Sequence, residues 1–148
     1  MISEHRFDGF NPKFIVVGCF LEHDGRILMI KRHPAKPEGN TWASPSGKVD
    51  SGETESDAIV REVYEETGVE IDPQKLIFIE RSYVRFPAFD FMYIFFRYIL
   101  ESVERPKITL SVSEHTDFAW MTPQEALNLE DELMQDEDYC IKKAYDIK

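Results

Sequence analysis

The sequence has few of the residues that build a disulfide scaffold or a zinc site. It contains two cysteines, Cys19 within an apolar run and Cys140 near the C-terminus. Two cysteines placed in this way form no disulfide framework, and we interpret both as free thiols in a reducing compartment. The four histidines, at positions 5, 23, 33 and 115, do not follow the spacing of a zinc site.

Long apolar runs are also absent. The two longest, 14–21 and 91–100, are well short of the roughly 20 residues that cross a bilayer, and Arg97 interrupts the second. The stretch from Met1 to Phe10 mixes charges and lacks the apolar centre of a signal peptide. We therefore expect a cytoplasmic protein with no membrane partner, in which the apolar runs are buried strands.

Basic residues are too few to neutralise the acidic ones. The chain has 17 Lys and Arg against 28 Asp and Glu, which gives a formal net charge of −11. This balance disfavours a nucleic-acid partner or an anionic membrane, and it would repel a phosphorylated substrate unless divalent cations were bound. The 43% hydrophobic content of the 148 residues indicates one globular domain over 1–148.

Turn and capping residues divide the chain into strands and helices. Asp24-Gly25 between two apolar runs predicts a hairpin, because such a turn needs positive φ. Thr54, with Asp57 three residues later, predicts the start of a helix over 54–67 that Gly68 ends. We further predict strands at 14–21, 26–31, 74–85, 89–100 and 107–112 and another ending at Trp120, a short strand and irregular loop within 41–50, and helices at 123–135 and 138–147.

The helix over 54–67 carries acidic side chains on one face. Helical spacing places four residues toward the core (Ile59, Val60, Val63 and Tyr64) and four on the opposite face (Arg61, Glu62, Glu65 and Glu66). Carboxylates three and four positions apart destabilise a helix by about 0.2–0.5 kcal/mol per pair. One interpretation is a solvated acidic face. The other is a site for Mg²⁺ or Mn²⁺, which prefer several carboxylate oxygens.

A wider pattern around this helix favours the cation site. From Gly47 the sequence runs GKVDSGETESDAIVREVYEETGV, which resembles the Nudix box: glycine, five residues, glutamate, seven residues, then Arg-Glu-aliphatic-any-Glu-Glu-any-Gly-aliphatic. All nine defined positions match, and a looser similarity covers 14–127, with ILMIKR upstream and SEHTDFAWMTPQEAL downstream. The resemblance implies an α/β fold, an α/β/α sandwich around a mixed β-sheet.

The resemblance also implies which residues bind the metal. Glu62, Glu65 and Glu66 would be the metal-binding carboxylates, with Mg²⁺ or Mn²⁺ as the cofactor. The backbone carbonyl of Ser46 would be a further ligand. Glu114 matches a downstream acid that completes the metal site or acts as general base in some relatives. The base would be Glu62 or Glu114.

Two more expectations concern the loop of the box. By resemblance, Glu53 pairs with Arg61 and braces the loop against the helix. Relatives commonly have Leu-Pro-Gly-Gly where residues 44–47 of this chain are Ser-Pro-Ser-Gly. If the position of Ser46 required positive φ, serine would cost about 1 kcal/mol or more there. Ser44 places a hydroxyl where an apolar wall is usual.

Five residues outside the box are candidate substrate contacts: Arg32, Arg81, Arg85, Phe86 and Phe89. Arginine can clamp a phosphate and an aromatic ring can stack on a base, although ordinary packing at strand ends is the alternative. We expect hydrolysis of a nucleoside triphosphate or a close relative to the monophosphate and pyrophosphate, by a monomer or a homodimer. The alternatives are hydrolysis of another nucleoside diphosphate derivative, such as a nucleotide sugar or ADP-ribose, and a non-catalytic nucleotide-sensing module.

Overall fold

The computed structural model describes residues 1–148, with eight β-strands and three α-helices. In chain order these are β1 (Ile2–Ser3), β2 (Pro12–His23), β3 (Arg26–Arg32), β4 (Trp42–Ala43), β5 (Ser46–Lys48), α1 (Glu55–Thr67), β6 (Ile77–Arg85), β7 (Asp90–Ile99), β8 (His115–Met121), α2 (Pro123–Leu127) and α3 (Glu137–Ala144). Two 3₁₀ turns lie at Pro73–Lys75 and Glu130–Glu132. None of the helices combines the length and the apolar character that crossing a membrane requires.

All eight strands belong to one mixed sheet. Its order is β1-β6-β7-β2-β3-β4, with β5 paired to β2 and β8 paired to β3. The central strands β2 and β7 are parallel, whereas the other pairs are antiparallel. The hairpin between β2 and β3 turns at Asp24 (φ 52°) and Gly25 (φ 76°), as predicted.

The sheet has a hydrophobic core on each face, which confirms the predicted α/β/α sandwich. Side chains alternate along β2, so that Cys19 and Leu21 belong to the core under α1 while Phe20 belongs to the opposite core. That second core is closed by α3, through Cys140 and Ile141. Both cysteines are buried and free, as predicted.

Helix α1 begins and ends where the sequence predicts, but it turns a different face to the core. The Thr54 side chain accepts a hydrogen bond from the Asp57 N–H (3.1 Å), and Gly68, at φ 77°, donates to the Tyr64 carbonyl (2.8 Å). Tyr64, predicted in the core, is 54% exposed, whereas Glu66, predicted on the face opposite the core, is 5% exposed. The buried residues of α1 are Ala58, Ile59, Val63, Glu66 and Thr67. The buried stripe is therefore rotated by part of a turn and includes an acid.

Two predicted elements in the second half of the chain are wrong. Residues 107–112 form no strand, because the Thr109 N–H bonds to the carbonyl of Thr67 at the end of α1 (2.8 Å) rather than to a neighbouring strand. The helix that begins at Pro123 stops at Leu127 and does not reach 135, since Glu130 adopts a left-handed φ of 51°. Other predicted boundaries differ from the observed ones by a few residues.

Replacing Gly68 by alanine should destabilise the protein by about 1 kcal/mol. Alanine is strained at φ 77°, and its Cβ would lie 3.4 Å from that of Thr109. Gly68→Asn should cost less, because asparagine tolerates the left-handed conformation better. Urea unfolding of both variants measures the difference. Equal stability of Gly68→Ala and the wild type would contradict the assigned helix cap.

Candidate active site

The side chain of Arg61 fixes the loop before α1 to the helix. Its Nε and Nη2 atoms donate to the two carboxylate oxygens of Glu53, at 2.8 and 2.9 Å, which confirms the predicted pair. Nη2 also donates to the carbonyl of Lys48 (3.0 Å). The hydrogen bonds from Arg61 lower the pKa of Glu53 to about 2, so this carboxylate remains ionised at neutral pH.

Glu62 lies directly against the backbone of Gly47. A Cβ atom at Gly47 would overlap the Glu62 carboxylate, so the glycine is needed here for close approach and not for positive φ. Glu62 Oε1 accepts a hydrogen bond from Arg61 Nη1 (2.8 Å), and its side chain is 15% exposed. Burial raises the pKa of Glu62, against the opposing effect of Arg61.

Glu66 is the most deeply buried acid of the helix. Its Oε1 accepts a hydrogen bond from the Ser46 N–H (2.8 Å), and its Oε2 lies 3.6 Å from His115 Nε2. Glu66, Glu114 and His115 each offer a ligand atom within 4.8 Å of the others. Burial raises the pKa of Glu66 well above its ordinary value, and the nearby Glu62 and Glu114 raise it further.

The donor set fits a divalent cation. The raised pKa of Glu66 indicates that the surrounding protein does not balance its charge. Carboxylate and carbonyl oxygens are the ligands that Mg²⁺ and Mn²⁺ prefer. A cation among these acids would offset their repulsion and favour the ionised form of Glu66.

Two of the predicted metal ligands, Glu65 and Ser46, have surroundings that differ from those of the buried Glu66. The Glu65 side chain is 55% exposed and lies 3.2 Å from Arg61. Neither Glu65 nor Glu62 belongs to the group formed by Glu66, Glu114 and His115. Ser46 lies in β5, opposite Gly18, and its φ is not positive. The condition under which serine would be strained at this position is therefore not met.

His115 is a site residue that the sequence does not identify. The spacing of the histidines argues against a zinc site. Spacing along the chain cannot, however, reveal a histidine that the fold places beside acids distant in sequence. The available signal is the position of His115 directly after Glu114, at the start of β8. Burial lowers the pKa of His115, so its imidazole is neutral at pH 7 and able to accept a metal.

A sequence model of the NUDIX domain matches residues 12–144 of the chain. The chain belongs to the Nudix family. It is 34% identical over 79 residues to an RNA pyrophosphohydrolase of Aeromonas hydrophila, which covers 53% of this chain and 42% of that protein. A MutT-like protein of Streptomyces ambofaciens is 32% identical over 111 residues, which covers 74% of this chain and 64% of that protein.

The human 8-oxo-dGDP phosphatase NUDT18 is 34% identical over 79 residues, which covers 51% of this chain and 24% of that protein. The chain thus spans less than two thirds of the length of each of these three relatives. Among solved structures, a MutT NUDIX hydrolase from Burkholderia pseudomallei gives a TM-score of 0.75 at 22% identity, covering 88% of this chain and 96% of that one. This likeness confirms the Nudix fold.

Two of the five candidate substrate contacts lie near the Nudix box. Arg32 Nε donates to the carbonyl of Pro37 (2.6 Å), and its charge partly offsets the rise in the pKa of Glu66. Phe86 lines a cleft of about 150 Å³ that also contacts Ser46. A larger depression of about 780 Å³ beside α2 and α3 contains none of the box residues.

The other three candidates are engaged elsewhere. Arg81 Nη2 donates to a carboxylate oxygen of Glu55 (2.9 Å), and Arg85 Nε donates to Asp90 Oδ1 (2.9 Å). Phe89 lies outside the cleft, on a separate shallow surface next to Arg85. Their contact with substrate stays a prediction, and for the two arginines it requires release from an ion pair.

The variant Glu66→Gln should be more stable than the wild type in metal-free solution at about pH 8. The pKa of Glu66 is raised on folding, so the stability from this group is complete below the ordinary pKa of 4.5 and is lost as pH rises through the folded value. Urea unfolding with chelator should therefore show an advantage at high pH that vanishes near pH 4. Glu70→Gln, at an exposed position after the box, is the control. An advantage that is equal at every pH would contradict the burial of an unbalanced charge.

Proposed function

We propose that this chain is a metal-dependent pyrophosphohydrolase with one catalytic domain over 1–148. It cleaves a nucleoside triphosphate-like substrate to the nucleoside monophosphate and pyrophosphate. The observation that carries the proposal is the buried Glu66 beside Glu62 and Glu114, two acids whose charges raise its pKa further. Ser46, whose N–H donates to Glu66, also lines a cleft of about 150 Å³, which has room for one planar ring.

The cation ligands in this proposal are the carboxylates of Glu62, Glu66 and Glu114 and the carbonyl of Ser46, with Glu65 joining from the solvent side. Bound Mg²⁺ or Mn²⁺ supplies positive charge for the phosphate oxygens and acidifies water. The bound cation also explains how a chain of net charge −11 would bind a phosphorylated substrate.

The proton of the attacking water passes to a carboxylate near Glu66, either Glu62 or Glu114. Glu62 is oriented by its hydrogen bond from Arg61, whereas Glu114 is exposed and free to turn. Arg61 and Glu53 act as positioning residues, because they hold the loop against α1 without facing the cleft.

A free nucleotide suits the site better than a nucleic acid. One relative is named as an RNA pyrophosphohydrolase and another as an 8-oxo-dGDP phosphatase, and both names describe the removal of phosphate from a nucleotide or a nucleotide chain. The net charge of −11 opposes binding of a long polyanion. The cleft of about 150 Å³ has room for one ring.

A nucleoside diphosphate derivative is the second candidate, because the human relative is named for a diphosphate. The products distinguish the two. A triphosphate releases pyrophosphate, whereas a nucleotide sugar or ADP-ribose would give two monophosphates. A non-catalytic sensing module is disfavoured, because every acid of the box is present.

With Mg²⁺ or Mn²⁺ the purified protein should turn over at least one nucleoside triphosphate, and chelator should abolish turnover. The reason is that the acids alone cannot offset the charge of the phosphate chain. Chromatography of the products should give the monophosphate and pyrophosphate. Absence of hydrolysis across a broad panel of nucleotides, nucleotide sugars and ADP-ribose, with either cation, would refute catalysis and favour the sensing module.

The variants Glu66→Gln and Glu62→Gln should lower kcat/KM about 10³-fold, because each removes a cation ligand. Circular dichroism should report a retained fold, and Glu70→Gln, exposed and outside the box, should keep full activity. Steady-state kinetics on the best substrate is the measurement. Activity within tenfold of wild type in Glu66→Gln would count against the assigned ligands.

A further inference from the structure

His115 is a buried histidine whose ring lacks the hydrogen bonds that burial usually requires. Its side chain is 7% exposed, and its Nδ1 atom makes no hydrogen bond. Its Nε2 atom lies 3.6 Å from Glu66 Oε2, which is longer than a hydrogen bond. A neutral imidazole has one nitrogen that donates and one that accepts, and leaving them unpaired in a buried place is costly to folding. The ring therefore points to a ligand that it shares with Glu66.

The distance between His115 and Glu66 distinguishes a shared proton from a shared ion. A carboxylate oxygen and the accepting nitrogen of an imidazole both present lone pairs, so a proton or a cation between them is needed to make the contact favourable. A hydrogen bond with an ionised partner would bring the two atoms to about 2.7–2.9 Å. Two ligands that each lie about 2.1 Å from one ion are roughly 3–4 Å apart. The observed 3.6 Å suits a shared ion.

A shift of register at the start of β8 turns His115 toward α1. Trp120 packs in the core under α1, and Met121 packs against the opposite core. Strict alternation along β8 would place His115 on the face of Met121, away from α1. Consecutive residues of β3 lie opposite Asp117 and His115, so Thr116 is an extra residue in β8. Such irregularities re-aim a side chain and are frequent next to active sites.

The backbone fixes the positions of Glu114 and His115. The N–H groups of both residues donate to the carbonyl of Ser111, each at 2.9 Å. The carbonyl of Glu114 accepts a hydrogen bond from the His33 N–H (2.8 Å), which attaches this turn to the end of β3. Glu114 and His115 therefore present their side chains to Glu66 from a rigid turn, and a ligand set that is fixed in advance loses less entropy when it binds an ion.

We propose that His115 supplies a nitrogen ligand to the cation that Glu66 and Glu114 bind, and that this ligand makes the site select transition-metal ions such as Mn²⁺ and Co²⁺ over Mg²⁺. Mg²⁺ prefers oxygen ligands and loses its water reluctantly, whereas imidazole suits the first-row transition metals. Glu62 and Glu65 are outside this group of three and offer oxygen alone. The proposal rests on the proposed function for the presence of a cation, and it names the residue that determines which cation is bound.

Calorimetric titration of metal-free protein without a histidine tag, at pH 8, with MnCl₂, CoCl₂ or MgCl₂ tests this assignment without turnover. The tightest site of the wild type should bind Mn²⁺ and Co²⁺ at least roughly 10-fold more tightly than Mg²⁺. His115→Gln should weaken Mn²⁺ and Co²⁺ binding roughly 10- to 100-fold and Mg²⁺ binding less than about threefold, because an amide oxygen replaces the nitrogen. His5→Gln, which removes an imidazole that is 85% exposed and outside the group of three, should change none of these affinities.

Pulsed electron paramagnetic resonance of the Mn²⁺-loaded protein reports the ligand directly. The wild-type spectrum should show coupling of Mn²⁺ to an imidazole nitrogen, labelling with [¹⁵N]histidine should change that coupling, and His115→Gln should lack it. A histidine that only supports the acids would give no coupling, and its loss would weaken the binding of all three ions equally. Either result, or coupling that persists in His115→Gln, would overturn the assignment. If His115→Gln does not fold, His115→Asn is the second variant, and the labelled wild type still tests for a histidine ligand.

Failure of the proposed function gives a different result. A chain that shows the nitrogen coupling but hydrolyses no nucleotide keeps the histidine ligand and loses catalysis. Hydrolysis of a nucleotide by a chain whose bound Mn²⁺ shows no nitrogen coupling keeps catalysis and loses the histidine ligand.

Discussion

The hydrogen bonds of Arg61 are the constraint on which the candidate site depends. Helix α1 carries three glutamates within two turns, which repel one another, and Arg61 is the cation that lies among them. The same guanidinium binds Glu53 and the carbonyl of Lys48, so it also attaches the loop to the helix. With the loop held there, Gly47 rests on the Glu62 carboxylate and the chain before it can reach Glu66.

A segment of three residues then connects the two ends of the site. The N–H of Ser46 donates to Glu66 among the proposed cation ligands, and the N–H of Ser44 donates to Glu137 in the cleft. Ser46 is itself paired with Gly18 of the central strand β2, and the Pro45 carbonyl accepts a hydrogen bond from the Cys19 N–H of the same strand (3.0 Å). A side chain at Gly18 would overlap the hydroxyl of Tyr93, which lines the cleft. The spacing between cation site and cleft is therefore fixed by backbone hydrogen bonds.

The sequence predicts what depends on neighbouring residues and misses what depends on distant ones. Caps at Thr54 and Gly68, the Asp24-Gly25 turn and the apolar run of β2 are local signals, and the structure agrees with them. The stripe of α1 that contacts the sheet is set by packing, which is why Glu66 is buried and Tyr64 is exposed.

The same reason explains the other misses. The strand predicted at 107–112 is absent because the Thr109 N–H finds a partner at the end of α1, which no local pattern indicates. His115 and Glu137 become site residues only because the fold brings them to Glu66 and Ser44. In the sequence, Glu137 is one acid among several before a short helix, and an acid in the first turn of a helix is ordinary.

The two buried carboxyl groups suit different ligands because their neighbours differ. Glu66 lies near two other acids, so a neutral hydrogen-bond donor would leave most of the repulsion in place and only a cation can balance it. Glu137 faces apolar walls and hydrogen bonds from Ser44, with Asp138 as the acid that adds to its pKa shift. Apolar side chains and the carboxyl group of Asp136 lie around it in the cleft, and the Ser44 N–H donates to its Oε1. The two buried acids of this region therefore lie in different electrostatic environments, one among other carboxylates and one against apolar walls.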